Sequence, residues 1–514
     1  MDEERRLTFP QAALTGLLAL AATLGVGHLV AGFVGYTASP FVAVANFVID
    51  HSPHAVVAWA ERTLETWDKP VLKIGLAAVL VLIALLAGQL SRSKPLPGQL
   101  VVGVLGAAGV AAVYVRTDLG QVSLLAPVAA TVAGMVVFTW LHRFFLPRVF
   151  FDVRESEGPG RRKVLITGAS VAVGAGVAAL AGEFIGTRKN AEESRAAVGR
   201  LVAARTAPPI PPDADFVKFG TPPYLTPSED FYRIDTALVV PQVRTEDWSL
   251  RIHGMVDREV TYTYDDIRSR PLLERDVTLC CVSNEVGGPY ISNARWIGID
   301  LRDLLNEAGV KPGAEQMFAT SVDGWTCGTP VEAALDPGRG AMLAIGMDGE
   351  PLPIEHGFPA RIVIPGLYGY VSATKWVTEL EITTWKEREA YWLDRGWGRE
   401  GPVKTQSRID TKVSAVTAGK VVVSGIAWAQ HTGVAKVEVR VDQGPWRETV
   451  LSAETSKDTW RMWWTEVDVT AGRHQVAVRA TDQSGHTQTE ERVGTVPDGA
   501  TGLHTVSVNA HQRR

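Results

Sequence analysis

Cysteine is scarce in this chain of 514 residues: only Cys280, Cys281 and Cys327 occur. So few thiols cannot build a disulfide framework, and they offer no paired CxxC spacing for a tetrahedral zinc site. Cys280 and Cys281 are neighbours, and joining them would take a strained bridge, so reduced thiols are expected. A long basic run is also missing. The net charge is −5 and the basic residues are dispersed, which argues against nucleic acid as a partner. Even hydropathy is missing too. Long apolar runs crowd residues 1–190, whereas the remainder is rich in Trp, Gly and Pro and reads as a soluble protein. A chain this long exceeds one ordinary core, so several domains are expected.

Five segments, near residues 10–35, 70–90, 99–116, 122–142 and 163–186, are apolar enough to span a bilayer, which takes roughly 20 residues each. The stretch from Phe41 to Trp59 is apolar as well, but His51, Pro53 and His54 interrupt it. It reads as an interfacial or re-entrant piece of an outer loop; a span there would reverse the final orientation. With the N-terminus inside, the inner segments hold Arg5, Arg6, Arg92, Lys94, Arg143, Arg148, Arg154, Arg161, Arg162 and Lys163. The outer loops hold only Arg62, Lys69, Lys73 and Arg116. Lys and Arg in short loops stay cytoplasmic, so this asymmetry favours five spans and places everything after Ile185 outside.

Arg161-Arg162-Lys163-Val164-Leu165 precedes a last span rich in Gly and Ala. It looks like an internal twin-arginine export signal, a type suited to domains that cross already folded. Ordinary cytoplasmic arginines explain the pair as well. Within the spans, His28 and Glu183 are candidates for a heme ligand or a quinone contact. A lone histidine is more often a packed residue, and no facing His pair is evident, so no heme is expected.

Residues 187–225 begin as a charged, Ala-rich helical stretch and pass into APPIPPDADF. Pro-rich chain is stiff and extended, which suits a spacer. From Tyr224 to about Thr405, β-rich runs such as WSLRIHGMV and ARIVIPGLYGYV alternate with short helical signals, TYDDIRSRP and GIDLRDLLNEAGV, an α+β pattern. From Gln406 onward only strands are signalled: KVVVSGIAWA, AKVEVRVDQG, TWRMWWTEVDV and RHQVAVRATDQSG, separated by Gly, Asp and Ser turns. That spacing predicts an immunoglobulin-like β-sandwich with Trp428, Trp463, Val439 and Val478 in its core.

Two stretches carry chemistry. In TLCCVSNEVGGPYISNARWIGIDL, residues 278–301, a cysteine ends a β-like run and meets a turn. A loop there can free a thiolate for a metal, although a Cys in an apolar run is more often core filler. In GEPLPIEHGFPARIVIPGLYGYVSATKWV, residues 349–377, His356, Arg361 and Lys375 lie among Gly and Pro. Arg offers a planar fork of donors, Lys a point charge, and glycine lets backbone N–H groups approach, which together suit a phosphate.

Taken together, residues from Tyr224 to the C-terminus resemble the sulfite oxidase family of molybdopterin enzymes. TLCCVSN is similar to the family's metal-cysteine turn, with Cys281 at the ligand position because V-S-N follows it. HGFPARIVIPGLYGYVSATKW is similar to the pterin-binding segment, and RVDQGPW, RMWW and ATDQSGHTQTE resemble the C-terminal dimerisation domain. The resemblance implies molybdenum-molybdopterin as cofactor and Cys281 as the protein ligand to the metal. It implies His356, Arg361, Ser372, Thr374 and Lys375 around the pterin and its phosphate, with Tyr232, Arg233 and Thr320 as further contacts. Asn284 and Arg295 fall to supporting roles. Asp323, Trp325 and Glu285 are the candidates for the substrate side.

There are departures. Sulfite-oxidising members carry basic residues just after the cysteine turn, where this chain has Asn284-Glu285. They carry a tyrosine in the segment resembling DGWTCGTPVEAAL, where this chain has Trp325 beside Cys327. A carboxylate repels anions, so sulfite is not the expected substrate. A Glu285 side chain facing away and capping a turn fits the residues equally well.

The expectation is a multi-domain chain. It has an N-terminal α-helical transmembrane bundle (1–186), a linker (187–223), an α+β sulfite-oxidase-like molybdopterin domain (224–405) and a C-terminal immunoglobulin-like sandwich (406–514). The expected function is oxygen-atom-transfer redox chemistry on a small substrate. The catalytic domain lies on the extracytoplasmic side of a cell membrane spanned several times, with electrons exchanged with a separate carrier or a quinone. A homodimer through the sandwich is part of the expectation, and a catalytically degenerate surface scaffold is the alternative.

Overall fold

In the computed structural model the described residues are 6–512, apart from 54–55, 57–58, 61–62, 65–66, 117–118, 147–159 and 188–190. Arg5, Arg62, Arg148 and Arg154, used above for orientation, lie outside them. The chain forms two compact units, Met1–Asn190 with Ala237–Val240, and Ala191–Thr236 with Pro241–Arg514.

The first unit is helical: α1 (Phe9–Val34), α2 (Pro40–His51), α3 (Asp68–Leu90), α4 (Leu96–Tyr114), α5 (Leu125–Phe145) and α6 (Arg161–Thr187). Thr8 starts α1 with a capping box to Gln11, and Pro10 sits in the first turn, where its missing N–H costs nothing. Five helices, all but α2, are long and apolar enough to cross a membrane. The apolar Phe41–Trp59 stretch contributes α2, 12 residues long and too short for a span. Small residues let the helices touch backbone to backbone. A Cβ on Gly16 of α1 would lie 1.9 Å from the Ala84 carbonyl oxygen of α3. His28 and Glu183 meet at 3.1 Å; Tyr36 donates to the same Glu183 oxygen at 2.6 Å, and the other His28 ring nitrogen lies 3.2 Å from Ser39. These two residues of the first unit therefore join in one polar cluster.

The second unit begins with β1 (Ser249–Gly254), β2 (Val260–Thr263), β3 (Leu273–Cys280), β4 (Ile291–Asp300), β5 (Gln316–Ser321), β6 (Thr326–Pro330), β7 (Met342–Met347), β8 (Glu350–Pro351), β9 (Arg361–Val363) and β10 (Val377–Thr383). They form two sheets. One has the order β2-β1-β10-β5-β6, with β1 and β10 parallel; the other runs β3-β4-β7-β8 with β9 added to β7. Both helical signals form: Thr263 and Asp266 cap Tyr264–Arg268 reciprocally, and Asp300 caps Leu301–Ala308, which ends at Gly309. The run ARIVIPGLYGYV divides. Its first part is β9, but Gly369–Ser372 is a helical turn, because Pro365 and Gly366 break the strand before it.

The segment read as a spacer is docked instead. Ala191–Val198 is helical, Arg195 donates to the carbonyls of Pro351 and Leu352, and Arg205 bridges to Leu273. At residues 204–207 its backbone bonds to Leu272 and Glu274, groups that a free spacer would leave to water.

The remaining strands are β11 (Gln406–Ile409), β12 (Ala415–Thr417), β13 (Gly419–Trp428), β14 (Val434–Val441), β15 (Arg447–Glu448), β16 (Val450–Leu451), β17 (Arg461–Val469), β18 (Gly472–Asp482) and β19 (His504–His511). They build two sheets, β11-β13-β17-β16 and β12-β19-β18-β14-β15, that share one apolar core. Trp463, Val439 and Val478 lie in that core; Trp428 is buried too but outside it, because its neighbour Ala427 takes the inward position on β13. Alternation puts every second side chain inward, which is why the sequence pattern finds this region so readily.

Candidate active site

β3 and β4 pair from Leu273–Gly298 to Cys280–Ile291, so their hairpin delivers the loop 281–290 at the end of the sheet. Successive side chains on a strand point to opposite faces. Cys280 therefore enters the core, and Cys281, one residue later, is partly exposed. The loop is closed by its own polar groups. Cys281 N–H donates to the Tyr290 carbonyl at 3.0 Å, and Asn284 N–H donates to the Cys281 carbonyl at 3.1 Å. Asn284 Oδ1 accepts from Tyr290 N–H at 2.8 Å, and its buried amide donates to Cys280 Sγ at 3.8 Å. Burial pushes the Cys280 thiol far up and the Cys327 thiol up to about 12. Both stay protonated, which leaves the partly exposed Cys281 as the candidate metal-binding cysteine.

A basic pocket is assembled from the second stretch. His356 ends the turn Ile354–His356, and Arg361 opens β9. Gly357 between them has φ +110°, and a Cβ there would press at 3.1 Å on both Arg361 and Lys375; glycine lets the three functional residues close up. Arg361 is buried. It donates to the His356 carbonyl at 3.0 Å and to the Ala373 carbonyl at 3.4 Å, and stands 4.9 Å over the Trp296 ring. Its Nε has no partner, and among the described residues no carboxylate pairs with it. Burial pulls its pKa down to about 10.

His356 Nε2–H donates to the Ser228 carbonyl at 3.1 Å. Burial, then Arg361 and Lys375, lower it to about 3, so it enters the site as a neutral imidazole with Nδ1 open as an acceptor. Lys375 Nζ donates to Asp235 at 3.0 Å and to the Glu355 carbonyl at 3.1 Å, and burial lowers it to about 8. Arg233 is more exposed and pairs with the same Asp235 oxygen at 3.0 Å. The pocket thus holds Arg361, Lys375 and Arg233 against one carboxylate.

Tyr232 connects the two parts. Its backbone N–H donates to Ser292 Oγ at 3.1 Å. Burial first, then the neighbouring Cys281 and Cys280, push its phenol well up, and Arg361 opposes them. Its hydroxyl also borders Gly369 of the pterin-like segment. The other expected residues fall into place variously. The Ser372 hydroxyl donates at 3.0 Å to the carbonyls of Leu367 and Tyr368, holding the helical turn. Thr374 is buried beside the Cys327 thiol. Thr320 lies on β5, its carbonyl accepting from Thr378 at 3.4 Å. Asp323 and Trp325 sit in the β5–β6 turn, where Trp325 N–H donates to Asp323 at 3.3 Å. Glu285 is exposed, and its carbonyl closes the loop through Gly288. Asp235 was missed by the sequence reading; the available signal was its position two residues after Arg233.

A buried guanidinium with an idle donor and no acid is costly unless an anion completes it. The pocket therefore fits a phosphate-bearing ligand, and Cys281 offers the soft donor that a thiolate-loving metal requires.

The model of the oxidoreductase molybdopterin binding domain matches residues 237–392. Residues 237–392 are therefore a molybdopterin-binding oxidoreductase domain of the sulfite oxidase-like kind. Molybdenum-molybdopterin is accordingly its cofactor. Mitochondrial sulfite oxidase of Macaca fascicularis is 29% identical over 304 residues, 50% of this chain and 55% of that one. Inducible nitrate reductase [NADH] 2 of Glycine max is 26% identical over 322 residues, 50% of this chain and 36% of that one. The match thus spans little more than half the length of the sulfite oxidase. The crystal structure of the sulfane dehydrogenase SoxCD from Paracoccus pantotrophus shares the fold, with a TM-score of 0.50 and 22% identity over 58% of this chain and 85% of that one.

Proposed function

We propose that this member of the family is a membrane-anchored molybdenum-molybdopterin oxidoreductase. It performs oxygen-atom-transfer chemistry on a small substrate outside the cytoplasm and exchanges electrons with a separate carrier or a quinone. The observation that carries the reading is the buried Arg361, paired with no carboxylate among the described residues, together with the partly exposed Cys281. The carbonyl of the preceding Cys280 and the Tyr232 hydroxyl both border Gly369.

When bound, the cofactor supplies two-electron redox chemistry and oxygen exchange at the metal. The chain's residues divide the remaining work. Cys281 would hold the metal as thiolate. Arg361, with Lys375 and Arg233, would neutralise the phosphate. His356 would accept a hydrogen bond from the pterin on Nδ1, its Nε2–H being engaged by Ser228. Tyr232, Ser372, Thr374 and Thr320 are assigned to the rest of the pterin contacts, and Asp323, Trp325 and Glu285 to the substrate side. Exposed Glu285 brings a negative charge to the Cys281 loop, which favours a neutral substrate over an anion such as sulfite.

Anchoring is supported by apolar side chains that face outward on the helices: Ile74, Leu82, Leu100, Val104, Leu165 and Leu180 are each more than 60% exposed. Water tolerates no such apolar surface on that scale, whereas lipid does. Within this reading, residues 1–186 form the transmembrane domain, 187–223 the connection, 224–405 the catalytic domain and 406–514 an immunoglobulin-like sandwich of the dimerisation type. The two sheets sharing one core support that last assignment.

The deciding experiment is to express the full chain in a host that makes molybdopterin, purify it in detergent and measure bound metal. Stoichiometric molybdenum is expected, and Cys281→Ser should lose it without unfolding. Well-folded wild-type chain without molybdenum would overturn the reading.

A further inference from the structure

β3, the strand that leads to Cys281, is an edge strand of its sheet. An open edge beside a metal loop would leave backbone groups unpaired and the loop free to move. The C-terminal β-rich region covers that edge. At Thr278, N–H donates to the Asp458 carbonyl at 3.0 Å, and the carbonyl accepts from Gln430 Nε2 at 2.8 Å. The Thr278 hydroxyl accepts from Trp460 N–H at 2.8 Å and donates to Asn293 Oδ1 at 2.9 Å. All three polar groups of this residue bond the C-terminal region, and its hydroxyl holds Asn293 besides.

A second grip lies beyond the cysteine. Arg408 on β11 donates to the Gly288 carbonyl at 2.8 Å, while Asp410 orients its guanidinium, also at 2.8 Å. His504 on β19 accepts from Ile409 N–H on Nδ1 at 2.9 Å. That bond fixes a neutral ring, with the proton on Nε2. The Cδ2–Nε2 edge then faces Gly287, where a Cβ would lie 2.4 Å from Cδ2 and φ is +82°. Only glycine fits that position, so ring and loop are matched in shape.

We propose that Arg408 and His504 are positioning residues for Cys281, and that the C-terminal region is a structural part of the metal site. Thr278 anchors the chain before the cysteine, and the Arg408–His504 pair anchors it after Gly287. The cysteine is thereby held in one direction with its side chain partly exposed. The proposal rests on the reading of Cys281 as metal ligand for its purpose, but its geometry can be tested without metal.

The experiment is thiol alkylation of the full chain, produced in a host unable to make molybdopterin and followed at each cysteine by mass spectrometry. In the wild type, partly exposed Cys281 should react slowly and buried Cys327 hardly at all. In Arg408→Ala or His504→Ala, Cys281 should react about tenfold faster, the scale of one lost charged hydrogen bond, with Cys327 still protected. Arg408→Lys, which keeps a donor, should return the rate most of the way. An unchanged Cys281 rate overturns the proposal. So does parallel exposure of Cys327, since that reports general loosening rather than release of one loop. The same variants made in a molybdopterin-producing host separate the two ideas. Wild-type chain without molybdenum sinks the ligand reading, while the alkylation result still decides whether the loop is held from the C-terminal region.

Discussion

Lys375 Nζ lies 3.0 Å from the same Asp235 oxygen that Arg233 Nε reaches at 3.0 Å. One carboxylate thus holds two cations in a pocket that must also receive an anion. Burial lowers Lys375 to about 8, and Asp235 is the main influence acting against that. The lysine attracts phosphate only when protonated. Cofactor retention should therefore be greatest below pH about 8 and weaken as pH rises through it. In Asp235→Asn the lysine would lose its proton earlier, moving the fall down by roughly one pH unit. Metal retained after dialysis over a pH series measures both.

Two histidines of the second unit are held neutral, His356 buried and His504 half-buried. His356 is lowered to about 3 and His504 to about 4, burial being the main cause in each. An unfolded histidine titrates near 6.5, so below that pH the unfolded chain binds protons that the folded chain refuses. Stability should fall as pH drops from 6.5 toward 3–4. At pH about 5 each histidine should account for roughly 2 kcal/mol. Replacing either with Asn should flatten the acid limb of a denaturant-stability curve; an unchanged limb would contradict the assignment.

Arg361→Met separates cofactor binding from folding. Among the described residues the buried guanidinium has no acid partner, so the metal-free chain should change in stability by no more than about 1 kcal/mol. Its molybdenum content should drop at least roughly tenfold. Chemical denaturation beside metal analysis checks the split.

Arg295 behaves differently. It grips Asp276 with two bonds, at 2.7 and 2.9 Å, and that carboxylate is 3% exposed. Arg295→Ala strands a buried charge and should cost about 3–5 kcal/mol. The loss should appear in the melting of the apo chain, with or without cofactor in the medium.

The local patterns were readable from residues alone. Apolar runs found the long helices, period-two alternation found β13, β14, β17 and β18, and the turn after Cys281 and the cluster from His356 to Lys375 were visible because they lie close in sequence. Periodicity records which side chains share a face, a property of a few neighbouring residues. Pairings that need the chain to reverse leave no such trace. Only the tertiary structure brought Asp235 to Lys375, turned His356 neutral by burying it beside two cations, docked residues 191–236 onto the second unit, and set Arg408 and His504 against the loop of Cys281. Charge, burial and reach in a pocket depend on segments far apart in the chain, so they are decided when those segments pack.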